Sequence, residues 1–229
     1  MNQYALITFA TDNYANSRER WTETMQQYKP DNVDLFCNTD YGKILSPTHQ
    51  ENPYAFKVSS FIWAKAKGYK KILWLDSSCF AINPLQPLFD IIDNENYLMQ
   101  YAGHLCGNWA NDACLEYFRL FRDDAMDMPM YGNAGMLGLN FENDLARQFF
   151  QEWQQSMEHG AFKGAWTNEN FTESADDKCK GHRHDMVCGS IIANRLGMKF
   201  KGGDQLLQYG SPEEPVLNDS IIIKAQGIN

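Results

Sequence analysis

Residues 68–78 read Gly-Tyr-Lys-Lys-Ile-Leu-Trp-Leu-Asp-Ser-Ser. The run from Lys71 to Asp76 is short, apolar and bounded by turn formers, which predicts a buried β-strand ending on an acid. Before it, Pro53 opens a helical pattern through Phe56, Phe61, Ile62, Ala64 and Ala66 that stops at Gly68. Further out, Tyr4 to Ala10 and Val33 to Cys37 read as two more strands. Between them Trp21, Met25 and Tyr28 recur at helical spacing, up to Pro30. Downstream come a short helix after Pro84 or Pro87, a strand from Tyr97 to Tyr101, and elements at Ala113–Phe121, Ala134–Leu139 and Leu145–Met157. A helix from Asp185 to Leu196 and a last strand near Ser220 to Lys224 follow. Strands alternating with helices predict an α/β fold: a mostly parallel central sheet with helices on both faces, a Rossmann-like three-layer sandwich. Residues 160–183 are polar and carry several glycines, so they are expected to form a mobile active-site loop. No repeat or linker interrupts the pattern, so residues 1–229 are expected to form one domain.

The bulk composition narrows the function. The 20 basic and 29 acidic side chains give a formal charge of −9. Such a surface repels a polyphosphate backbone and excludes general nucleic-acid binding, while leaving room for one phosphorylated small ligand. Hydrophobic residues at 44% and charged residues at 21% exclude a disordered chain. No apolar run is long enough to cross a bilayer and the N-terminus has no basic leader, so no stable membrane insertion and a cytoplasmic location are expected. Cys37, Cys79, Cys106, Cys114, Cys179 and Cys188 are irregularly spaced and are expected to be reduced and mostly buried.

In an open parallel sheet, ligands bind beyond the carboxyl ends of the strands. Three such ends stand out: Thr8 to Tyr14, with Thr8 and Thr11; Asn38-Thr39-Asp40; and Trp74 to Ser78, with Asp76. An acid at a rigid strand tip can hold a divalent cation, accept from a ribose hydroxyl, or simply cap a turn. Lys57 lies one turn beyond Tyr54 on the same helix face, suited to a phosphate and a base respectively, or to solvent and core. Asn133 and Gly135 suit a sugar pocket, through a short amide and close backbone approach, or a plain strand-entry turn. Cys179, His182, His184 and Cys188 have the ligand types of a zinc site, or of a histidine-rich loop with a buried thiol.

Taken in order, Asn52-Pro53-Tyr54-Ala55-Phe56-Lys57, the 68–78 strand and Asn83-Pro84-Leu85 before Leu88-Phe89 resemble the centre of the GT-A glycosyltransferases. Tyr131-Gly132-Asn133-Ala134-Gly135-Met136-Leu137-Gly138-Leu139-Asn140 resembles the strand that lines their sugar pocket, and His184-Asp185-Met186 resembles a late element ahead of a helix. These blocks span most of residues 4–200. The resemblance implies transfer of a hexose from a nucleoside-diphosphate sugar, UDP-linked for instance, to a carbohydrate or other hydroxyl acceptor. It implies a donor site of Thr8, Thr11, Asp40, Tyr54, Lys57, Asp76, Ser78, Asn133, Gly135 and His184. Asp76 would position the diphosphate, and Asp185 would orient the sugar or act as base. It also implies Mn²⁺ or Mg²⁺ on an Asp-x-Asp motif, at Asp76 and Ser78 here.

That last position departs from the pattern, because the second acid is a hydroxyl and hard cations prefer carboxylates. Three arrangements stay open: Ser78 binding through its hydroxyl or a water, His184 or Asp185 completing the shell, or Lys57, other cations and N–H groups doing the work without metal. Two other functions stay open: a catalytically silent nucleotide-sugar-binding protein, and a zinc protein using the Cys179/His182/His184/Cys188 set.

Overall fold

The computed structural model describes residues 3–132 and 135–227. Strand β1 (Tyr4–Phe9) leads through helix α1 (Ala15–Tyr28) to β2 (Val33–Asn38), and helix α2 (Ala55–Ala66) leads to β3 (Lys71–Leu75). Strand β4 (Cys79–Ala81), helix α3 (Gln86–Glu95), β5 (Tyr97–Met99) and β6 (Tyr101–Leu105) follow. Next come the short helices α4 (Cys106–Trp109), α5 (Asp112–Phe118) and α6 (Arg122–Ala125), then β7 (Pro129–Tyr131) and β8 (Met136–Asn140). Helices α7 (Asp144–Glu158) and α8 (His184–Arg195) precede β9 (Leu207–Tyr209) and β10 (Ile223–Ala225).

The central sheet has the order β2-β1-β3-β8-β5. Pairing of β1 with β2 and with β3 is parallel, whereas β8 pairs antiparallel with both β3 and β5. Four strands therefore point one way and β8 alone runs against them, so the sheet is mostly parallel as the alternating pattern predicts. Residues Tyr97–Tyr101, read as one strand, divide at Gln100: β5 stays in the central sheet and β6 pairs with β7 in a separate ribbon. A third, three-stranded sheet joins β4, β10 and β9.

Alternation along each strand builds two apolar layers. Ala5, Ile7 and Phe9 of β1, with Ile72 and Trp74 of β3, face a cluster containing Val58 and Phe61 of α2, Phe149 and Trp153 of α7, and Ile191 of α8. Leu6, Leu73 and Leu75 face the opposite way, onto Trp21 and Met25 of α1 and Leu88, Phe89 and Ile92 of α3. With both faces covered, β3 reads as a continuous apolar run in the sequence. No helix among the described residues is long and apolar enough to cross a membrane.

Candidate active site

Strand β3 ends at Leu75, so Asp76 is the first residue beyond the sheet, its side chain 28% exposed. Because β8 is antiparallel, Leu75 pairs with Met136, and the residue just before β8 arrives beside the residue just after β3. That residue is Gly135, with a φ of 65°. A left-handed backbone pressed against a carboxylate is a position that glycine alone fills without strain.

Asp76 is fixed from two sides. Its Oδ1 accepts from Trp74 Nε1 at 2.7 Å and lies 3.1 Å from Lys57 Nζ. The same ammonium lies 3.2 Å from Asp185 Oδ2. Lys57 is thus a buried cation between two carboxylates, brought in from α2, β3 and α8. Burial alone would depress its pKa, but Asp185 and Asp76 outweigh this and hold it well above the ordinary lysine range. For both acids burial is the largest influence and raises the pKa, with Lys57 opposing. Asp185 is further held through its backbone carbonyl, which accepts from Trp153 Nε1 at 3.0 Å.

Two cavities meet at Asp76 and Tyr54. The larger, of about 740 Å³, is lined by the segment after β1, including Thr11 and Tyr14, and by Tyr41, His49, Phe56, Ser77, Ser78 and Gly227. The smaller, of about 300 Å³, adds Lys57, Gly135, Trp166, Arg183, His184 and Asp185 to the shared pair. Tyr54 and His184 stack at 5.3 Å between ring centres. Both carry positive φ, 59° and 43°, although neither is glycine. Such backbone costs on the order of 1–3 kcal/mol per residue and concentrates at functional sites.

Of the sequence-predicted donor residues, Thr11, Tyr54, Lys57, Asp76, Ser78, Gly135 and His184 line one or both cavities. Thr8 and Asp40 line neither. Thr8 is sealed inside β1, and Asp40 closes an exposed turn by accepting from the Gly42 N–H at 2.8 Å. Asn133 lies outside the described residues. Other lining residues went unnoticed in the sequence. Arg183 carried a signal, standing directly before the His-Asp pair. Gly227 carried none: it reaches the site because Gln226 N–H donates to the Ser78 carbonyl at 3.0 Å.

The 160–183 loop does border the site, through Trp166 and Arg183, and it is internally bonded rather than loose. Asn168 donates to the carbonyls of Ser174 and Cys179 and accepts from the N–H groups of Glu173 and Ser174. Gly181, with a φ of 145°, closes it, since a Cβ there would sit 2.1 Å from the Trp166 carbonyl oxygen.

Of the pair expected to hold Mn²⁺ or Mg²⁺, Asp76 is already engaged by Lys57 and Trp74, while Ser78 lines the larger cavity beside it. The Ser78 carbonyl is taken by Arg20 and Gln226. A dication would have to share Asp76 with the Lys57 charge 3.1 Å away, against strong repulsion. The expected zinc quartet does not converge. Cys179 bonds the carbonyls of Ala110 and Gly181, and His184 Nδ1 lies 2.9 Å from the Phe162 carbonyl. Cys114, not among the expected ligands, takes their place beside His182 and Cys188. Even there both His182 nitrogens are engaged, Nδ1 accepting from Asn111 N–H and Nε2 meeting the Ala161 carbonyl. All six cysteines are free thiols, five of them buried.

No protein-family model and no curated protein matches the chain. Its fold is similar to that of the bifunctional glycosyltransferase WbbM in its apo form, with a TM-score of 0.50 at 13% identity over 91% of this chain. It is also similar to mouse xyloside xylosyltransferase 1 in its apo form, with a TM-score of 0.51 at 12% identity over 97% of this chain. The chain spans 40% of the first protein and 97% of the second. It therefore has a GT-A-like glycosyltransferase fold.

Proposed function

We propose that this chain is a glycosyltransferase that moves a hexose from a nucleoside-diphosphate sugar to an acceptor hydroxyl. One observation carries the reading: Asp76, on a rigid strand tip, forms the common wall of two adjoining cavities, the arrangement that a two-substrate transfer needs. The larger cavity has the aromatic lining for a base, Tyr14, Tyr41 and Phe56, and takes the nucleotide. The sugar lies over Asp76 and Gly135, and the acceptor occupies the smaller cavity.

Without a cation, a carboxylate repels a diphosphate, so Asp76 serves here by accepting from sugar hydroxyls. Asp185 is the proposed base. As the acceptor oxygen bonds to the anomeric carbon, its proton passes to Asp185 and the electron pair of the breaking bond departs with the diphosphate. Burial raises the affinity of Asp185 for that proton, while Lys57 keeps the carboxylate ionised beforehand. Tyr54, His184 and Trp166 restrict water at the junction.

The test is donor turnover. The chain is expected to hydrolyse or transfer from at least one of UDP-, GDP-, ADP- or CDP-hexose, and Asp76→Asn to abolish this while the nucleoside diphosphate still raises Tm. A second reading, a silent nucleotide-sugar binder, is favoured by the hydroxyl of Ser78 where a second acid is expected. Stabilisation by the nucleotide with no turnover of any donor selects it.

A further inference from the structure

At the rim of the smaller cavity Arg183 is clamped between two indoles. Its guanidinium carbon lies 3.6 Å from the Trp109 ring centre and 4.0 Å from that of Trp166. The two indoles leave its N–H edge for hydrogen bonding. There Nη1 donates to the Trp166 carbonyl at 2.9 Å, and no carboxylate among the described residues pairs with the group. Buried Lys224 and half-buried Arg20 also hydrogen-bond only to backbone carbonyls, but neither lines the smaller cavity. Arg122 binds two carbonyls and pairs with Asp112 and Asp176, and Lys57 pairs with Asp76 and Asp185.

Arg183 is not the only base at this rim. The His104 ring stands 5.6 Å from that of Trp109, at the corner where β6 runs into α4. Burial, then Arg183, then Lys180 all lower its pKa, so the three basic groups feel one another. Lys180 is exposed and has no ion pair among the described residues. In a chain of net charge −9, basic side chains gathered around Trp109 without acidic partners are a local reversal of sign. A guanidinium packed against two indoles is weakly hydrated and already fixed in place, so an anion meeting its edge costs little ordering entropy.

We propose that the acceptor carries an anionic substituent, a carboxylate or a phosphate monoester on a sugar, gripped edge-on by Arg183 with Lys180 and His104 beside it. This rests on the transferase reading above. It assigns the anion to the acceptor because Arg183 lines the smaller cavity and not the larger one, across Asp76 and Tyr54.

The experiment titrates glucose, glucuronate and glucose 6-phosphate by tryptophan fluorescence, on the wild type, Arg183→Gln and Arg183→Lys. The Tm shift with UDP, GDP, ADP and CDP is measured alongside, to report folding and donor binding. Expected are saturation by an acidic sugar at least tenfold tighter than by glucose, loss of that preference in R183Q, and partial retention in R183K. The nucleotide shift should stay unchanged in all three proteins, and the His104 pKa, followed by NMR, should rise when the acidic sugar binds. The stronger of the two acidic probes identifies the anion. Equal binding of acidic and neutral sugars, or an acid preference that survives R183Q, overturns the proposal while the nucleotide shift keeps the transferase reading intact. A tenfold loss of nucleotide binding in R183Q gives the anion to the donor diphosphate and overturns it too. If no nucleoside diphosphate shifts the wild type, the transferase reading itself falls.

Discussion

A Cβ added to Gly135 would lie 2.4 Å from the carboxylate carbon of Asp76 and from both of its oxygens. The two residues adjoin because β3 ends where antiparallel β8 begins. Gly135→Ala must therefore push Asp76 off Trp74 and Lys57, besides placing alanine at a φ of 65°. The expected result is a loss of donor turnover of about 100-fold, the scale of a 1 Å misplacement. Urea unfolding should show a stability loss on the order of 1 kcal/mol or more. Wild-type turnover in this variant would mean that the placement of Asp76 does not matter to the reaction.

Lys57→Met leaves Asp76 and Asp185 facing one another with no cation between them. Removing one partner of a buried ion pair costs about 3–5 kcal/mol, which should appear as a lower urea midpoint. Adding Asp185→Asn to Lys57→Met should recover part of the loss, giving a non-additive double-mutant cycle. Strict additivity would show that the three groups do not act as a unit.

The Lys57 ammonium 3.1 Å from Asp76 predicts indifference to metal. Chelator should leave both Tm and donor turnover unchanged, and Mn²⁺ should add nothing to the Tm shift given by the nucleotide alone. A Mn²⁺-dependent shift that disappears in Asp76→Asn would show that Lys57 yields its place to a cation when the nucleotide binds.

His182 makes stability depend on pH in a defined window. Burial, with His184 adding to it, lowers its pKa from 6.5 to about 3. Between those values the unfolded chain holds the proton and the folded chain does not. The contribution is therefore complete above pH 6.5 and is lost as pH falls toward about 3. Denaturant midpoints measured from pH 4 to 7 should rise with pH, and His182→Gln should flatten the rise. His184, lowered to about 4 chiefly by burial, adds slope in the same direction. An unchanged slope in His182→Gln would place the proton uptake elsewhere.

Much of the fold was legible because its signals are local. The alternating and continuous apolar runs of β1, β2 and β3 are set by which faces each strand buries, and the 3.6-residue pattern of α1, α2 and α7 by one apolar face. The break at Gln100 was not legible. Its cause is a set of bonds between the Gln100 side chain and the backbone of Leu206 and Leu207, more than a hundred residues away. Thr8 and Asp40 were chosen by their place at strand ends, but a strand end fixes where a residue lies and not which way its side chain turns.

The sequence by itself determined that residue 76 would be an acid at the end of a buried strand, since burial pattern and turn formers are written within a few residues of it. What stands around that acid was decided by tertiary structure. Lys57, Gly135 and the Arg183–Asp185 pair come from three separate segments, and only the sheet order, the reversed direction of β8 and the start of α8 bring them together. The occupation of Asp76 by an ammonium rather than a second acid follows from that convergence. A charge interaction depends on distance in space, which the spacing of residues along the chain does not encode.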